Sequence, residues 1–420
     1  MGIKRIRIEN FKSFKKLDVE LKDFNILIGA NASGKSNFIH IFEFLRDIVN
    51  NGLDNAISMQ GDVEYLRNVS IGHTDNFTVE ITSDYDDDRG ILLKPGGDYF
   101  WGIRMSEMFY KFAVEFLRSK PGYKIIEDNL LVKFGILKVP QKGEKEIKVG
   151  DGAFKLINNK GKIKTEFDIP TDIKIDRQDI FPFVDFIKNI KKFPSKSLLL
   201  ETPFFKMPFE VADIFQGVSV YNIDPKLPKK AIPITGKTEL EEDGSNLAIA
   251  LKNIIDDKNE RNRFSNLIKD VLSFVESLDI EKFADSSLLV ILKEVYSGDK
   301  FLPASLLSDG TINITALILA LYFGKKPFIV IEEPERNIHP HLISKILEMM
   351  KEVASRRQII VTTHNSEILK HAALEDILFI ARDHEGFSQI SRPCDNEQVK
   401  IFLKNEMGID DLFVQNLLEL

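Results

Sequence analysis

The chain has 420 residues, 43% hydrophobic and 29% charged, with a formal net charge of −7. That is enough chain for a large core and two lobes, and the acidic balance leaves nucleic-acid binding to a local patch. Cys394 is the only cysteine, which excludes an intrachain disulfide and a cysteine metal cluster and suits a reducing, cytoplasmic compartment.

The first residues alternate apolar and charged: Ile3, Ile6 and Ile8 stand among Lys4, Arg5, Arg7 and Glu9. This is a strand pattern. Asn10-Phe11-Lys12-Ser13-Phe14 breaks it, and Leu17-Asp18-Val19-Glu20-Leu21 resumes the alternation. Phe24-Asn25-Ile26-Leu27-Ile28 then reads as a short buried strand. It runs into Gly29-Ala30-Asn31-Ala32-Ser33-Gly34-Lys35-Ser36, which fits the G-x-x-x-x-G-K-[ST] pattern of a phosphate-binding loop. Phe38, Ile39, Ile41, Phe42 and Leu45 follow at helical spacing. Strand, loop and helix together make the pattern credible. The backbone from Gly29 through Asn31, Ala32, Ser33 and Gly34 can wrap phosphate oxygens, and the helix start adds partial positive charge. Lys35 is expected to reach the β- and γ-phosphates, and Ser36 to ligate Mg²⁺.

Residues 76–83 read as a further strand. From about residue 84 the texture changes, with loop signals at Asp86-Asp87-Asp88 and Pro95-Gly96-Gly97. Residues 110–116 alternate as a strand, although Met105, Met108, Phe109 and Phe112 also fit a helix. Short β-like pieces continue to residue 169, as in an antiparallel meander. Residues 179–192 look helical, 203–216 partly so, and 218–221 read as a strand. Asp243-Gly244-Ser245-Asn246-Leu247 is expected to open a helix running to about residue 255, with Ser245 or Asn246 as its N-cap, and helical spacing continues over 262–278.

The last third carries the remaining chemistry. Phe328-Ile329-Val330-Ile331-Glu332-Glu333 is a buried strand ending in two acids. Beside a phosphate loop, Glu332 can hold the metal, and Glu333 can accept a proton from the attacking water or orient it. Leu307-Ser308-Asp309-Gly310-Thr311 precedes an apolar helix over 312–323. Ser308 and Gly310 can present a hydroxyl and backbone N–H groups to an anion there, or simply cap the helix. Ile359-Ile360-Val361-Thr362-Thr363 is a strand that ends at His364, placed to bond a γ-phosphate or the water. Asp383, His384 and Glu385 follow a later strand and read as a solvated loop. The lysine and arginine groups at 4–16, at 188–196 and at 226–230 read by default as solvated faces. The run 314–323 is too short to span a bilayer, and no signal-peptide core follows Met1, so no membrane is expected as a partner.

The order of these motifs resembles that of ABC-type ATPases. Ile8-Glu9-Asn10-Phe11-Lys12-Ser13-Phe14 resembles the opening of RecF- and SMC-type heads. Glu332-Glu333-Pro334-Glu335-Arg336-Asn337-Ile338-His339-Pro340 resembles the E-E-P-E-x-x-[LI]-H-P signature of RecF-like AAA-type ATPases, which include the ATPase part of OLD-family nucleases. Glu241-Glu242-Asp243-Gly244-Ser245-Asn246-Leu247 is similar to a stretch of predicted ATPases in that group.

The resemblance implies an α/β P-loop NTPase: an ABC-type ATPase head with a mixed sheet, an antiparallel β subdomain and a compact α+β insertion. The expected division is 1–84 (phosphate-binding part), 85–285 (inserted lobe) and 286–420 (signature, Walker B and switch histidine). It also implies ATP and Mg²⁺ as cofactors and a head-to-tail homodimer. In that dimer each ATP touches Lys35 and Ser36 of one subunit and Ser308 and Gly310 of the other. His364 would be the switch histidine, and Gln60 is the nearest candidate for a metal-linked Q-loop. No coiled-coil arm and no TOPRIM nuclease domain are expected. The function expected is ATP hydrolysis coupled to DNA or to a separately encoded effector such as a nuclease, in genome maintenance or anti-phage defence. The alternatives are a nucleotide-sensing module with little turnover and, less favoured, a transporter motor subunit.

Overall fold

The computed structural model describes every residue except 1, 86–89, 119–121, 142–144, 174, 183–192, 203–210, 284–285, 405–407 and 416–420. The expected loop at 86–88 and most of the expected helices at 179–192 and 203–216 lie outside the described residues. The chain divides into two compact units. The first comprises Met1–Lys22, Ser36–Val218 and Ala381–Ser391; the second comprises Asp23–Lys35, Ser219–Ile380 and Arg392–Leu420.

The first unit begins with β1 (Gly2–Phe11) and β2 (Phe14–Glu20), while β3 (Phe24–Ile28) belongs to the second. It continues with β4 (Phe77–Asp84), β5 (Ile91–Pro95), β6 (Tyr99–Phe116), β7 (Tyr123–Pro140), β8 (Ile147–Asn159) and β9 (Lys162–Asp168). These pair antiparallel in the order β2-β1-β4-β6-β7-β8-β9, with β5 on β6. The expected short pieces are therefore long strands, β6 and β7 having 18 residues each. The helical alternative at Met105–Phe112 is overturned by antiparallel pairing with β7 on both sides of a register shift at Met105/Glu107. Phe38, Phe42, Phe44 and Leu45 of helix α1 (Lys35–Asn51) are buried, and Phe44 meets Phe11 and Phe77 at ring-centroid distances of 6.2 and 5.7 Å. The basic N-terminal group is balanced where it stands. Arg5 and Arg7 pair with Asp18, Lys16 with Glu9, and Lys15 with Glu385.

One acid is sealed inside this unit. Asp128 on β7 accepts from the Tyr110 hydroxyl (2.9 Å), Asn158 Nδ2 (3.0 Å) and the Leu199 N–H (2.8 Å). Burial pushes its carboxyl up to about 7, against the pull of those three donors.

The second unit holds a sheet in the order β10-β15-β16-β3-β17, formed by β10 (Val218–Tyr221), β15 (Phe328–Glu332), β16 (Gln358–Thr363), β3 and β17 (Ile377–Arg382). From β15 to β17 the neighbours are parallel. Their near-continuous apolar runs are what a sheet covered on both faces requires. A smaller antiparallel sheet contains β11 (Ile232–Pro233), β12 (Val275–Phe283), β13 (Ser287–Glu294) and β14 (Phe301–Pro303).

Three expectations are corrected in this unit. The helical stretch at 262–278 is a helix over Lys258–Val271 followed by strand β12. Asn246 stands at the N-cap position of the Leu247–Ile255 helix without a side-chain capping bond, because its amide serves Lys237 O, Glu239 O and the Glu241 N–H instead. The apolar helix near 312–323 is α-helical over Asp309–Ile318 and widens into a π-turn over Leu319–Phe323. Among the described residues no helix is long and apolar enough to cross a membrane.

Candidate functional site

Strand register sets the site. Thr363, the last residue of β16, pairs with Ile28, the last of β3, and Glu332 at the end of β15 pairs with Thr362. The segments leaving these strands therefore emerge at one carboxyl edge: the loop 29–35 after β3, Glu333 after β15 and His364 after β16. Ligands of open parallel sheets bind at that edge.

Within the loop, Ala32 and Gly34 have positive φ (63° and 116°), which curls the backbone. A Cβ on Gly29 would lie 2.2 Å from the Ile380 carbonyl oxygen of β17, so the first glycine is demanded by strand packing. Lys35 Nζ donates to the carbonyls of Gly29 (2.8 Å) and Ala30 (2.9 Å). Burial lowers its pKa, while Glu333, Glu332 and Glu335 oppose the shift, so the three acids lie within electrostatic reach of the ammonium. Asn31 is exposed and Ser33 buried. Ser36 opens the Ser36–Val218 segment of the first unit, and the first turn of α1 contains no acid to compete with an anion.

The acids differ from one another. The Glu332 carboxylate has no hydrogen bond or ion pair among the described residues, and its pKa is raised by burial and then by neighbouring Glu333. Glu333 has φ 45°. Burial pushes it up, but Arg336 and His364 outweigh that, and the net shift is downward. Arg336 donates to Glu333 Oε2 from Nη2 (2.9 Å) and Nε (3.3 Å), and His364 Nδ1 lies 2.8 Å from Oε1. Glu335 is buried with its pKa raised by burial; its Oε1 accepts from the Thr363 hydroxyl, and Oε2 has no partner among the described residues.

Ser308 caps the Asp309–Ile318 helix, its Oγ accepting from the Thr311 N–H at 3.1 Å. A Cβ on Gly310 would meet the Asn337 carbonyl oxygen at 2.5 Å. Buried Asn313, on the same helix, donates to the carbonyls of Pro334 (3.3 Å) and Arg336 (2.7 Å). Arg336 Nη1 in turn reaches Asn222 Oδ1 at 3.4 Å.

Sequence reasoning missed the roles of Arg336, Asn313, Asn222 and Thr363. Arg336 lay inside the quoted signature at one of its unspecified positions, and for Asn313 and Asn222 the only signal was a polar side chain on or beside an apolar element. Gln60 belongs to the first unit as the C-cap of helix α2 (Leu53–Met59), its N–H bonded to the carbonyls of Ala56 and Ile57. Asp383 shapes a turn, its Oδ1 accepting from the N–H groups of Glu385 and Phe387.

The Mg²⁺ expected here fits the donors. Among the described residues no group of three or more His, Cys, Asp or Glu could hold a metal by itself. Mg²⁺, however, keeps several waters and binds through one or two side-chain oxygens plus substrate phosphates. The unpartnered Glu332 carboxylate supplies an oxygen of that kind.

A family model described as "AAA domain, putative AbiEii toxin, Type IV TA system" matches residues 24–370. The uncharacterized protein MJECL43 of Methanocaldococcus jannaschii is 29% identical over 92 residues, and the match spans 21% of this chain and 24% of that protein. Among solved structures, the Smc head bound to the C-winged helix domain of ScpA aligns with TM-score 0.49 and 14% identity, covering 93% of this chain and 98% of that one. The Pyrococcus furiosus Smc head with an extended coiled coil, bound to the C-terminal domain of ScpA, aligns with TM-score 0.47 and 14% identity over 97% and 100% of the two chains. The Thermotoga maritima SMC head domain gives 0.41 and 13% over 93% and 99%.

Proposed function

Starting from the fact that the chain belongs to this AAA-domain family, we propose that it binds and hydrolyses ATP, with Lys35, Glu332, Glu333 and His364 as the working side chains. One observation carries this reading: the phosphate loop, the acid pair and the histidine follow three neighbouring parallel strands at one sheet edge.

Lys35 would leave the carbonyls of Gly29 and Ala30 for the β- and γ-phosphates, and the backbone of Gly29, Asn31, Ala32, Ser33 and Gly34 would wrap them. Glu332 would hold Mg²⁺, which neutralises phosphate charge, and Ser36, next to Lys35 in the chain, is kept as a metal ligand on the loop motif alone. Glu333 accepts a proton from the attacking water, with His364 fixing its orientation from Oε1. Gln60 is kept as a candidate metal-linked residue on motif order alone.

The further expectation is a head-to-tail homodimer in which Ser308 and Gly310 close over the nucleotide of the opposite subunit. Exposure of the Ser308 cap at a helix start supports it. Its output would pass to DNA or to a separately encoded effector, in genome maintenance or defence. The family's description as a putative toxin of a type IV system supports the defence setting. Pairing of the N-terminal basic residues with acids weakens DNA as the direct partner. The second reading, a nucleotide sensor with little turnover, is favoured by the contacts on both Glu333 oxygens.

Phosphate release by wild type and by Glu333→Gln separates the two readings. A wild-type rate no higher than that of the variant would sink the hydrolase. Sizing Glu333→Gln with and without ATP tests the dimer, and an unchanged monomer with ATP bound would remove it.

A further inference from the structure

The second unit contains a cavity of about 450 Å³, within the size range of small-molecule sites. Lys325 and Lys326 line it and come just before Phe328, the first residue of β15, whereas Glu332 is the last. The cavity and the acid pair therefore stand at opposite ends of that strand.

One wall is the π-turn. The Gly324 N–H donates to Leu319 O at 3.0 Å, and half-buried Tyr322 and Phe323 line the cavity. Such turns recur at functional sites. Each ring is anchored by a neighbour: the Tyr322 hydroxyl donates to Glu352 Oε2 at 2.7 Å, and Phe323 meets buried Phe264 edge-on at 6.0 Å. The Arg263 guanidinium stands over both rings, 5.9 and 5.2 Å from their centroids. Rings hold a cation without neutralising it, and the ion pair of Arg263 with Glu260 is long, at 3.5 Å.

The carbonyl end of a helix ordinarily repels an anion. Here Arg357 donates to the carbonyls of Ala320 (3.5 Å), Leu321 (3.1 Å) and Gly324, which offsets that repulsion. The Lys325 and Lys326 ammonium groups have no partner among the described residues. Around the cavity, three cations thus stand against two carboxylates, Glu239 and Glu260. That balance suits one phosphate group and opposes a longer polyanion.

We propose that this cavity binds a small aromatic monophosphate. Arg263, Lys325 and Lys326 hold the phosphate, and the ring packs on the apolar lining that Tyr322, Phe323 and Leu240 supply. The site is separate from the proposed nucleotide site and stands whether or not the chain hydrolyses ATP.

The test is calorimetric titration of the full chain with phenyl phosphate and, separately, with inorganic phosphate. It uses wild type, Lys35→Ala and the double variant Lys325→Glu/Lys326→Glu, whose exposed and half-exposed positions leave the melting temperature as a check on folding. Wild type is expected to bind phenyl phosphate at least about 10-fold more tightly than inorganic phosphate, because the ring is buried as well. The double variant should weaken phenyl phosphate at least about 10-fold. Lys35→Ala should leave it within about 2-fold, since charge at the far end of β15 is screened. Three results overturn the proposal. The first is no binding of phenyl phosphate to wild type at about 10 mM. The second is inorganic phosphate binding as tightly as phenyl phosphate, which marks a bare anion patch. The third is affinity lost in Lys35→Ala but kept in the double variant, which assigns the probe to the phosphate loop.

Discussion

Asp128 in the first unit and Glu335 in the second are both buried acids whose carboxyl pKa burial raises. Their surroundings differ. Asp128 has a donor on each oxygen, and one of those donors, Asn158, is itself satisfied through the Gly161 N–H. Among the described residues, Glu335 has a partner on one oxygen and none on the other, and the carboxylate of Glu332, three residues earlier, has none at all. Complete satisfaction belongs to an acid that holds a structure together. On the proposed function, incomplete satisfaction beside Lys35 marks acids whose partners arrive with a ligand.

If this contrast is right, substitutions in the two places must fail in different assays. The largest effect should come from Glu333→Gln, which should slow phosphate release about 100- to 1,000-fold while the melting temperature and nucleotide-analogue binding stay put. Asp128→Ala should do the reverse. It orphans the Tyr110 hydroxyl, Asn158 Nδ2 and the Leu199 N–H, costing about 3 kcal/mol in a denaturant titration, with the rate per folded molecule unchanged. A rate lost in step with stability would break the contrast.

The same acid predicts a pH signature. Its folded pKa, about 7, lies above that of an unfolded aspartate. Stability from this group is therefore fully present below about pH 4 and is lost as pH rises to about 7. Denaturation midpoints across that window should show this fall in wild type and a flatter profile in Asp128→Asn.

Smaller again, Lys35→Ala should weaken nucleotide-analogue binding about 10- to 30-fold, the worth of one or two charge-assisted hydrogen bonds, without altering the denaturation midpoint. Tyr110→Phe, removing one donor of three from Asp128, should cost about 1 kcal/mol of stability and nothing in turnover.

Sequence and structure part company along the same contrast. The loop 29–36, Glu332-Glu333 and His364 were legible because each is a contiguous motif next to a short apolar run, and parallel register then brings them together. Arg336 lay within a recognised motif, but its contact with Asn222 spans 114 positions, and no local pattern carries that. In the first unit, β6 and β7 were read as fragments or as helix because register shifts at Met105/Glu107 and Ala113/Val114 break the two-residue period. In the second, Leu272, Val275 and Leu278 extend a helical spacing past Val271, although the chain has by then turned into β12. Asp128 gave no sign, since its three donors come from three separate segments.

The close approaches at Gly29 and Gly310 bear on how any mutational scan of this chain is to be interpreted. Both positions would score as indispensable in an alanine survey, and both belong to patterns associated with phosphate recognition. Yet each would fail first by pushing a methyl group into a carbonyl oxygen of its own chain, at Ile380 and Asn337. Intolerance at these two positions is therefore a measurement of backbone clearance, and a map of the ligand has to be drawn from Lys35, Glu332 and Glu333 instead.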